Sequence, residues 1–509
     1  MAFFLSLVMI MAMGLTAFAE GEPTGTTTET PQPTKYTLTL NGTSEGHTYD
    51  AYQIFTGDLS TNEKGEKVLS NVKWGTGITY NKTETETGSA ADVAKALGDK
   101  TMTLDQLVKK LTLTTPVKTV ESTKGSTVID GLAAGYYLVK DKDGTQANKS
   151  DAYTKFVVQV VGNAEVKVKS DVPTVVKKVQ DTNDSTGETS GWQDSADADI
   201  GDDVQYQITG SMPENIADYT TYKYVFTDTM SKGLTYTANN AKIEIGNKDV
   251  TNSNSFKEKV TNNTDGSTTV TWTCENLKGI EGVTLNKDTK VVVTYSAQLN
   301  ENAVIGSTGN PNTVNLTYSN NPNKGGEGET GKTPDDKNIV FTYKVEVNKI
   351  EKINNVNTPL KGAGFTLQKK VNGKYSDIKT IGPKNDKQED ITTFEFTGLD
   401  DGDYQLIEST TPAGYNTITP IEFTISAEHD VTSDAPTLTK LSCKVTGGEA
   451  NFTVDKDAGS LTTDVVNKKG STLPSTGGRG TTMIYIIGAA LVITAGVVLV
   501  MRKKMNSDK

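Results

Sequence analysis

The chain has 509 residues and a formal net charge of −12, from 63 acidic and 51 basic side chains, which leaves no positive field for a nucleic-acid backbone and excludes that partner class. Two histidines, His47 and His429, and two cysteines, Cys274 and Cys443, lie far apart and leave little material for a histidine-based triad, a zinc site or an intradomain disulfide, so neither cofactor nor metal is expected. The length suits about three domains.

Residues 2–19 form an apolar run that closes in Ala17-Phe18-Ala19 before Glu20, the small-x-small pattern of a cleaved signal peptide spanning 1–19, although no basic residue precedes it. Residues 20–34 are rich in Thr, Pro and Glu and read as a flexible leader.

From Tyr36 the pattern is that of short strands rich in Thr, Val and Tyr, bounded by Gly, Asn and Asp, as in Tyr36–Leu40, Lys155–Val161, Lys290–Tyr295 and Phe341–Val347. Helical periodicity is confined to Ala90–Leu97 and Thr103–Lys110, so the fold class is all-β. Two breaks, Ser170-Asp171-Val172-Pro173 and the polar, Gly-rich run Asn320 to Asp336, divide the chain into domains of about 35–171, 172–338 and 339–470. Gly131-Leu132-Ala133-Ala134-Gly135-Tyr136-Tyr137 is echoed by Gly398-Leu399-Asp400-Asp401-Gly402-Asp403-Tyr404, which suggests related first and third domains.

Before the first break Val166 and Val168 point one way, while Glu165, Lys167 and Lys169 point the other, so Lys169 is expected at the surface. In the second domain Lys177 shares a face with Val175 and Val179, Asp228 with Tyr224 and Phe226, and Asn312 with Val314, Leu316 and Tyr318. Lys178, Asn310 and Asn315 are alternatives in that register. The second break contains a GxxxxGKT match, Gly326 to Thr333, but Pro334-Asp335-Asp336 follows where a phosphate loop would open a helix. It reads as linker.

The third domain opens with Phe341, Tyr343, Val345, Val347 and Lys349 at period two, which turns the Lys349 amine inward with the apolar face. Leu461, Thr463, Val465 and Asn467 share one face of the last strand, and Tyr404, Leu406 and Glu408 share another inward-capable face. Desolvation favours a neutral amine and a protonated carboxyl, so Lys349 can attack the Asn467 carboxamide while Glu408 shuttles protons and polarises the carbonyl. In the first domain Asp141 stands where the echo puts Glu408, but no Lys lies inside an apolar first strand, so no bond is expected there.

At the far end Leu473-Pro474-Ser475-Thr476-Gly477 is followed by the apolar run Met483 to Met501, long enough to span a bilayer as a helix, and by the basic Arg502, Lys503 and Lys504. This constellation resembles the LPXTG sorting signal of Gram-positive surface proteins, which implies that a sortase attacks the Thr476–Gly477 carbonyl and passes the acyl group to an amine. The third-domain trio resembles that of CnaB-type domains, together with Tyr404–Glu408 and Pro412-Ala413-Gly414-Tyr415. Phe226-Thr227-Asp228-Thr229-Met230 with Gly233-Leu234 resembles the catalytic segment of CnaA-like domains.

Nearly the whole chain resembles the LPXTG-anchored, isopeptide-forming major pilins of Gram-positive bacteria. The resemblance implies tandem immunoglobulin-like (CnaA/CnaB-type) β-sandwich domains, Lys349–Asn467 and Lys177–Asn312 isopeptide bonds promoted by Glu408 and Asp228, and no turnover of a substrate. It implies polymerisation by a class C sortase through Lys169, with Lys167 next, and attachment to peptidoglycan by a housekeeping sortase. The Tyr-Pro-Lys-Asn stretch usual around the linking lysine is absent. Tip and base pilins are implied partners, and a host matrix or glycan ligand a further one; a monomeric wall-anchored adhesin is the alternative reading.

Overall fold

A computed structural model describes residues 34–62, 65–146, 148, 150–168, 172–470 and 487–499. The expected signal peptide, all but the last residue of the leader, Lys169, the Leu473–Gly477 pentapeptide and the basic tail lie outside the described residues. Residues 487–499 are helical, and the ends of the expected 483–501 span lie outside them. Among the described residues no helix is long and apolar enough to cross a membrane.

In the first domain, strand Thr48–Thr61 is flanked by Lys67–Trp74 and Gly135–Asp141, and the latter pairs with Lys155–Val160. A second, smaller sheet pairs Tyr36–Asn41 with Ala164–Lys167 in parallel and with Ser126–Leu132 antiparallel. Strict alternation along Tyr36–Asn41 buries Tyr36, Leu38 and Leu40 against Tyr49, Ile129, Val139 and Val160. Helices form where the pattern placed them, over Ala90–Gly98 and Leu104–Lys109. Ser89 caps the first by accepting from the Asp92 amide, and Thr103 with Gln106 closes a capping box on the second. Leu97 and Leu107 then bury against Ile54 and Phe55 on the outer face of the sheet.

The second domain packs two sheets around Tyr206, Phe226, Trp272, Val293, Tyr295 and Leu316. One sheet runs from Val175–Val179 through Asp203–Gly210 to Val291–Leu299, and the other joins Asp336–Phe341, Asn310–Ser319, Tyr224–Met230 and Thr268–Cys274. In the third domain, the sheet of Gly364–Val371, Gly402–Thr410 and Ile421–His429 faces one in which Tyr343–Ile353 pairs in parallel with Ser460–Val466. The sequence echo corresponds to a shared corner: the Tyr137 hydroxyl donates to the Ala133 carbonyl at 2.8 Å, and that of Tyr404 to the Asp400 carbonyl at 3.0 Å. Gly131 and Gly398 open both turns with φ of 70° and 77°, a conformation that side chains disfavour.

Two readings of the second break need correction. The polar run from Asn320 to Asp336 is folded, not a linker. Asn320 and Asn321 are buried, the Asn321 side chain caps a 3-10 turn at Pro322–Lys324, and Thr330–Lys332 pairs with the strand Asn310–Ser319. The run and the strand before it also dock on the first domain, where the Tyr153 amide donates to the Asn320 carbonyl at 2.9 Å and the Tyr318 hydroxyl to the Ser150 carbonyl at 2.6 Å. The boundary drawn at 338/339 falls inside the strand Asp336–Phe341, because alternate residues of this strand serve two cores. Val340 packs into the second core, and Ile339 and Phe341 into the third.

Candidate functional site

The parallel ladder of the third domain sets Lys349 opposite Val465 and Ile350 opposite Val466, so Asn467 follows directly beyond the last paired residue. The Asn467 amide donates to the Ile350 carbonyl at 3.1 Å, which holds its side chain over the Lys349 amine. Lys349 is fully buried, and its Nζ donates to Asn467 Oδ1 and lies 3.0 Å from Glu408 Oε1. The Asn467 carboxamide nitrogen donates to Glu408 Oε1 at 3.0 Å and to the Asn416 carbonyl at 3.1 Å. Glu408 Oε2 is held by the Ile418 amide at 3.0 Å.

Burial, with the Phe365 ring 5.5 Å from Nζ, pulls the Lys349 pKa below its usual value against the opposing hydrogen bond and charge of Glu408. A proton handed from the amine to Glu408 leaves a free lone pair beside the Asn467 carbonyl. Glu408 touches the amine and the amide nitrogen rather than the carbonyl oxygen, so its contacts suit proton shuttling, and Lys349 itself bonds the oxygen.

The second domain assembles a comparable group through a tyrosine. Lys177 Nζ donates to Asp228 Oδ1 and to the Tyr295 hydroxyl, both at 2.6 Å, and that hydroxyl donates to Asp228 Oδ2 at 2.5 Å. The Asn312 amide nitrogen donates to the same hydroxyl at 2.9 Å, and Asn312 Oδ1 is buried without a hydrogen-bond partner. Lys177, Asp228 and Asn312 are all fully buried, and the rings of Tyr206 and Tyr295 each lie 5.1 Å from Nζ. Burial again lowers the lysine pKa, opposed by the Asp228 charge and hydrogen bond.

Three segments match known families: 200–322 the Gram-positive pilin backbone subunit 2, Cna-B-like domain; 344–437 a prealbumin-like fold domain; and 465–509 the LPXTG cell wall anchor motif. The chain is 28% identical over 408 residues to the trypsin-resistant surface T6 protein of Streptococcus pyogenes serotype M6, covering 66% of this chain and 70% of the relative. The chain belongs to the LPXTG-anchored backbone pilins of Gram-positive bacteria. The solved T6 backbone pilin of serotype M6 S. pyogenes, a modular three-domain structure, shares its fold at a TM-score of 0.53 and 18% identity, over 87% of this chain and all of that one.

The alternatives in the second domain of this pilin are engaged elsewhere. Lys178 is half-buried and pairs with Asp194, Asn315 donates to Asp335 at 3.1 Å on the exposed side, and Asn310 bonds the Val304 backbone and the Val340 carbonyl. Sequence reasoning missed Tyr295, although its strand was recognised. Alternation along Val291–Leu299 faces Tyr295 inward, but nothing local shows that its hydroxyl meets an acid, a lysine amine and an asparagine amide.

In the first domain of the pilin, Asp141 is fully buried and faces a histidine. His47 Nδ1 lies 2.8 Å from Asp141 Oδ1, and Nε2 3.3 Å from Asp151 Oδ2. Burial tends to lower the His47 pKa, but hydrogen bonds and charge from Asp141 and Asp151 outweigh it and leave it raised. Lys167 is exposed between the buried Val166 and Val168, as the alternation required.

Proposed function

We propose that this backbone pilin is polymerised by a class C sortase that joins Thr476 of one copy to Lys169 of the next, and that a housekeeping sortase attaches the base of the fibre to peptidoglycan. Two of its three sandwich domains cross-link themselves, Lys349 to Asn467 and Lys177 to Asn312. The contact of Lys349 with Asn467 and Glu408 inside an apolar core carries this reading.

The Lys349 amine attacks the Asn467 carboxamide carbon, and Glu408, having taken a proton from the amine, returns one to the departing nitrogen. A carbon–nitrogen bond forms, another breaks, and one ammonia leaves per cross-link. Asp228 serves Lys177 in the same way, with the Tyr295 hydroxyl relaying protons between acid and Asn312. No external substrate is turned over.

An immunoblot of boiled, SDS-treated wall extracts from the source cell, wild type against Lys169→Ala, tests the assembly. A ladder of very high mass that vanishes in the variant is expected. A ladder that persists moves the acceptor to Lys167 or another lysine, and a single wall-linked band in wild type favours the monomeric adhesin.

A further inference from the structure

Where the second and third domains meet, the turn after Val175–Val179 and the strand Ser195–Asp197 of the second domain face the end of strand Ile421–His429 of the third. His429 Nε2 lies 3.4 Å from Asp181 Oδ2 and 3.9 Å from Asp197 Oδ1. We propose that Asp181, Asp197 and His429 bind a divalent transition-metal ion of the zinc class, which staples the second domain to the third.

Hydrogen bonds fix the histidine for this role. The Ser195 hydroxyl donates to the Asp430 carbonyl at 2.6 Å, so it can only accept from His429 Nδ1–H at 2.7 Å. That leaves Nε2 turned to two carboxylates, the orientation that a partner on the other ring nitrogen gives a metal-ligating imidazole. Asp197 is oriented too: its Oδ2 accepts from the Asp401 amide at 3.1 Å, and its Oδ1 is the atom that faces the ring.

A tetrahedral ion about 2.0–2.1 Å from N and O ligands sets them roughly 3.4 Å apart, against 3.4 and 3.9 Å from the imidazole nitrogen to the two carboxylates here, with all three ligand atoms within 4.8 Å of one another. The His429 and Asp197 side chains are 7% and 3% exposed and that of Asp181 is 20% exposed, so the ion would enter past Asp181.

Beside these residues the Tyr343 hydroxyl is fully buried with Asp197, Asp401 and Asp181 as its charged neighbours; it leans on Asp197 and makes no hydrogen bond of ordinary length and angle. A buried hydroxyl left so weakly held among carboxylates is a place for an ion-bound water to complete its hydrogen bonding. An imidazole nitrogen with two carboxylates suits a zinc-class ion better than calcium, which takes six to eight oxygens. The adjoining all-oxygen group of Asp184, Asp199, Asp202 and Asp400 is not the site, because the Lys369 ammonium already bonds three of its four members.

The test uses the full chain, stripped with chelator, dialysed and titrated with Zn2+ alone and with Ca2+ alone. One Zn2+ per chain is expected, with a rise in the midpoint of thermal unfolding. Uptake should be lost in His429→Gln and Asp197→Asn, weakened in Asp181→Asn, which alters only a partly exposed turn and keeps the fold, and unchanged in His47→Gln. Co2+ should give a visible absorption band that disappears with His429. Absence of stoichiometric Zn2+ uptake by wild type, equal uptake by His429→Gln, or uptake of Ca2+ in preference to Zn2+ would each overturn the proposal.

Discussion

Lys349 on one strand and Asn467 just past the end of the parallel strand beside it are in contact, though 118 residues separate them along the chain. A bond between them closes a loop that takes in nearly the whole third domain. By the chain-entropy relation used for disulfides, closing a loop of this size contributes roughly 4–5 kcal/mol. Glu408→Gln keeps the shape of the site and removes its proton shuttle. We expect intact-mass measurement on this variant to show one ammonia retained relative to wild type, and calorimetry to show the third domain melting earlier by an amount of that order.

The Tyr295 hydroxyl joins Lys177, Asp228 and Asn312, and no other hydrogen bond links Asn312 to the pair among the described residues. Tyr295→Phe should slow formation of the second-domain bond by about 10²-fold, the lower end of what one positioned proton-transfer group contributes. Ammonia loss followed by mass spectrometry after refolding checks this, and the third-domain loss should keep its normal rate.

His47 holds a pKa above its usual 6.5 in the folded state because of Asp141 and Asp151. The stabilisation is therefore fully present below about pH 6.5 and is lost as pH rises through the raised folded value. Asp141 and Asp151 also offer their backbone carbonyls to Asn323 and Asn320 of the second domain, at 3.3 and 3.1 Å. Proteolysis at the junction of the first two domains should speed up between pH 6 and 9 in wild type, and His47→Gln should flatten that dependence.

Lys369 provides the contrast with Lys349 and Lys177, the two lysines proposed to react. It too is buried, but donates to Asp184, Asp199 and Asp400 at 3.0, 2.6 and 2.5 Å, and the charges and hydrogen bonds of Asp400 and Asp199 outweigh burial and raise its pKa. It should stay an ammonium ion and form no amide. Lys369→Met should leave both ammonia losses intact and, by stranding buried carboxylates, weaken the docking of the second and third domains by about 3–5 kcal/mol, read as earlier trypsin cleavage between them.

Much of this site is legible in the sequence because period-two alternation is a local property. It turns Lys349, Glu408 and Asn467 inward on their own strands without any knowledge of the partner strand. The run from Asn320 to Asp336 misleads because Asn and Gly serve a free linker and a capped turn equally well. Here Asn321 caps and Gly325 takes φ 68°, conformations that composition alone does not distinguish from slack. The meeting of His429 with Asp181 and Asp197 depends on how two domains dock, which no spacing along the chain encodes.

The histidine that faces Asp141 in the first domain has a mechanical meaning. With Lys169 as the acceptor, a pull on the fibre enters each subunit after the first domain and leaves through Thr476, so residues before Lys169 hang beside the load path rather than in it. The two buried lysine–asparagine pairs lie on that path, Lys177 with Asn312 and then Lys349 with Asn467, and a bond within each would short-circuit the fold between its ends. Tension would bypass those cores and fall on the stretch between Asn312 and Lys349. The first domain would carry no such strain, and an ion pair that weakens as pH rises suffices where a covalent tie would have nothing to resist.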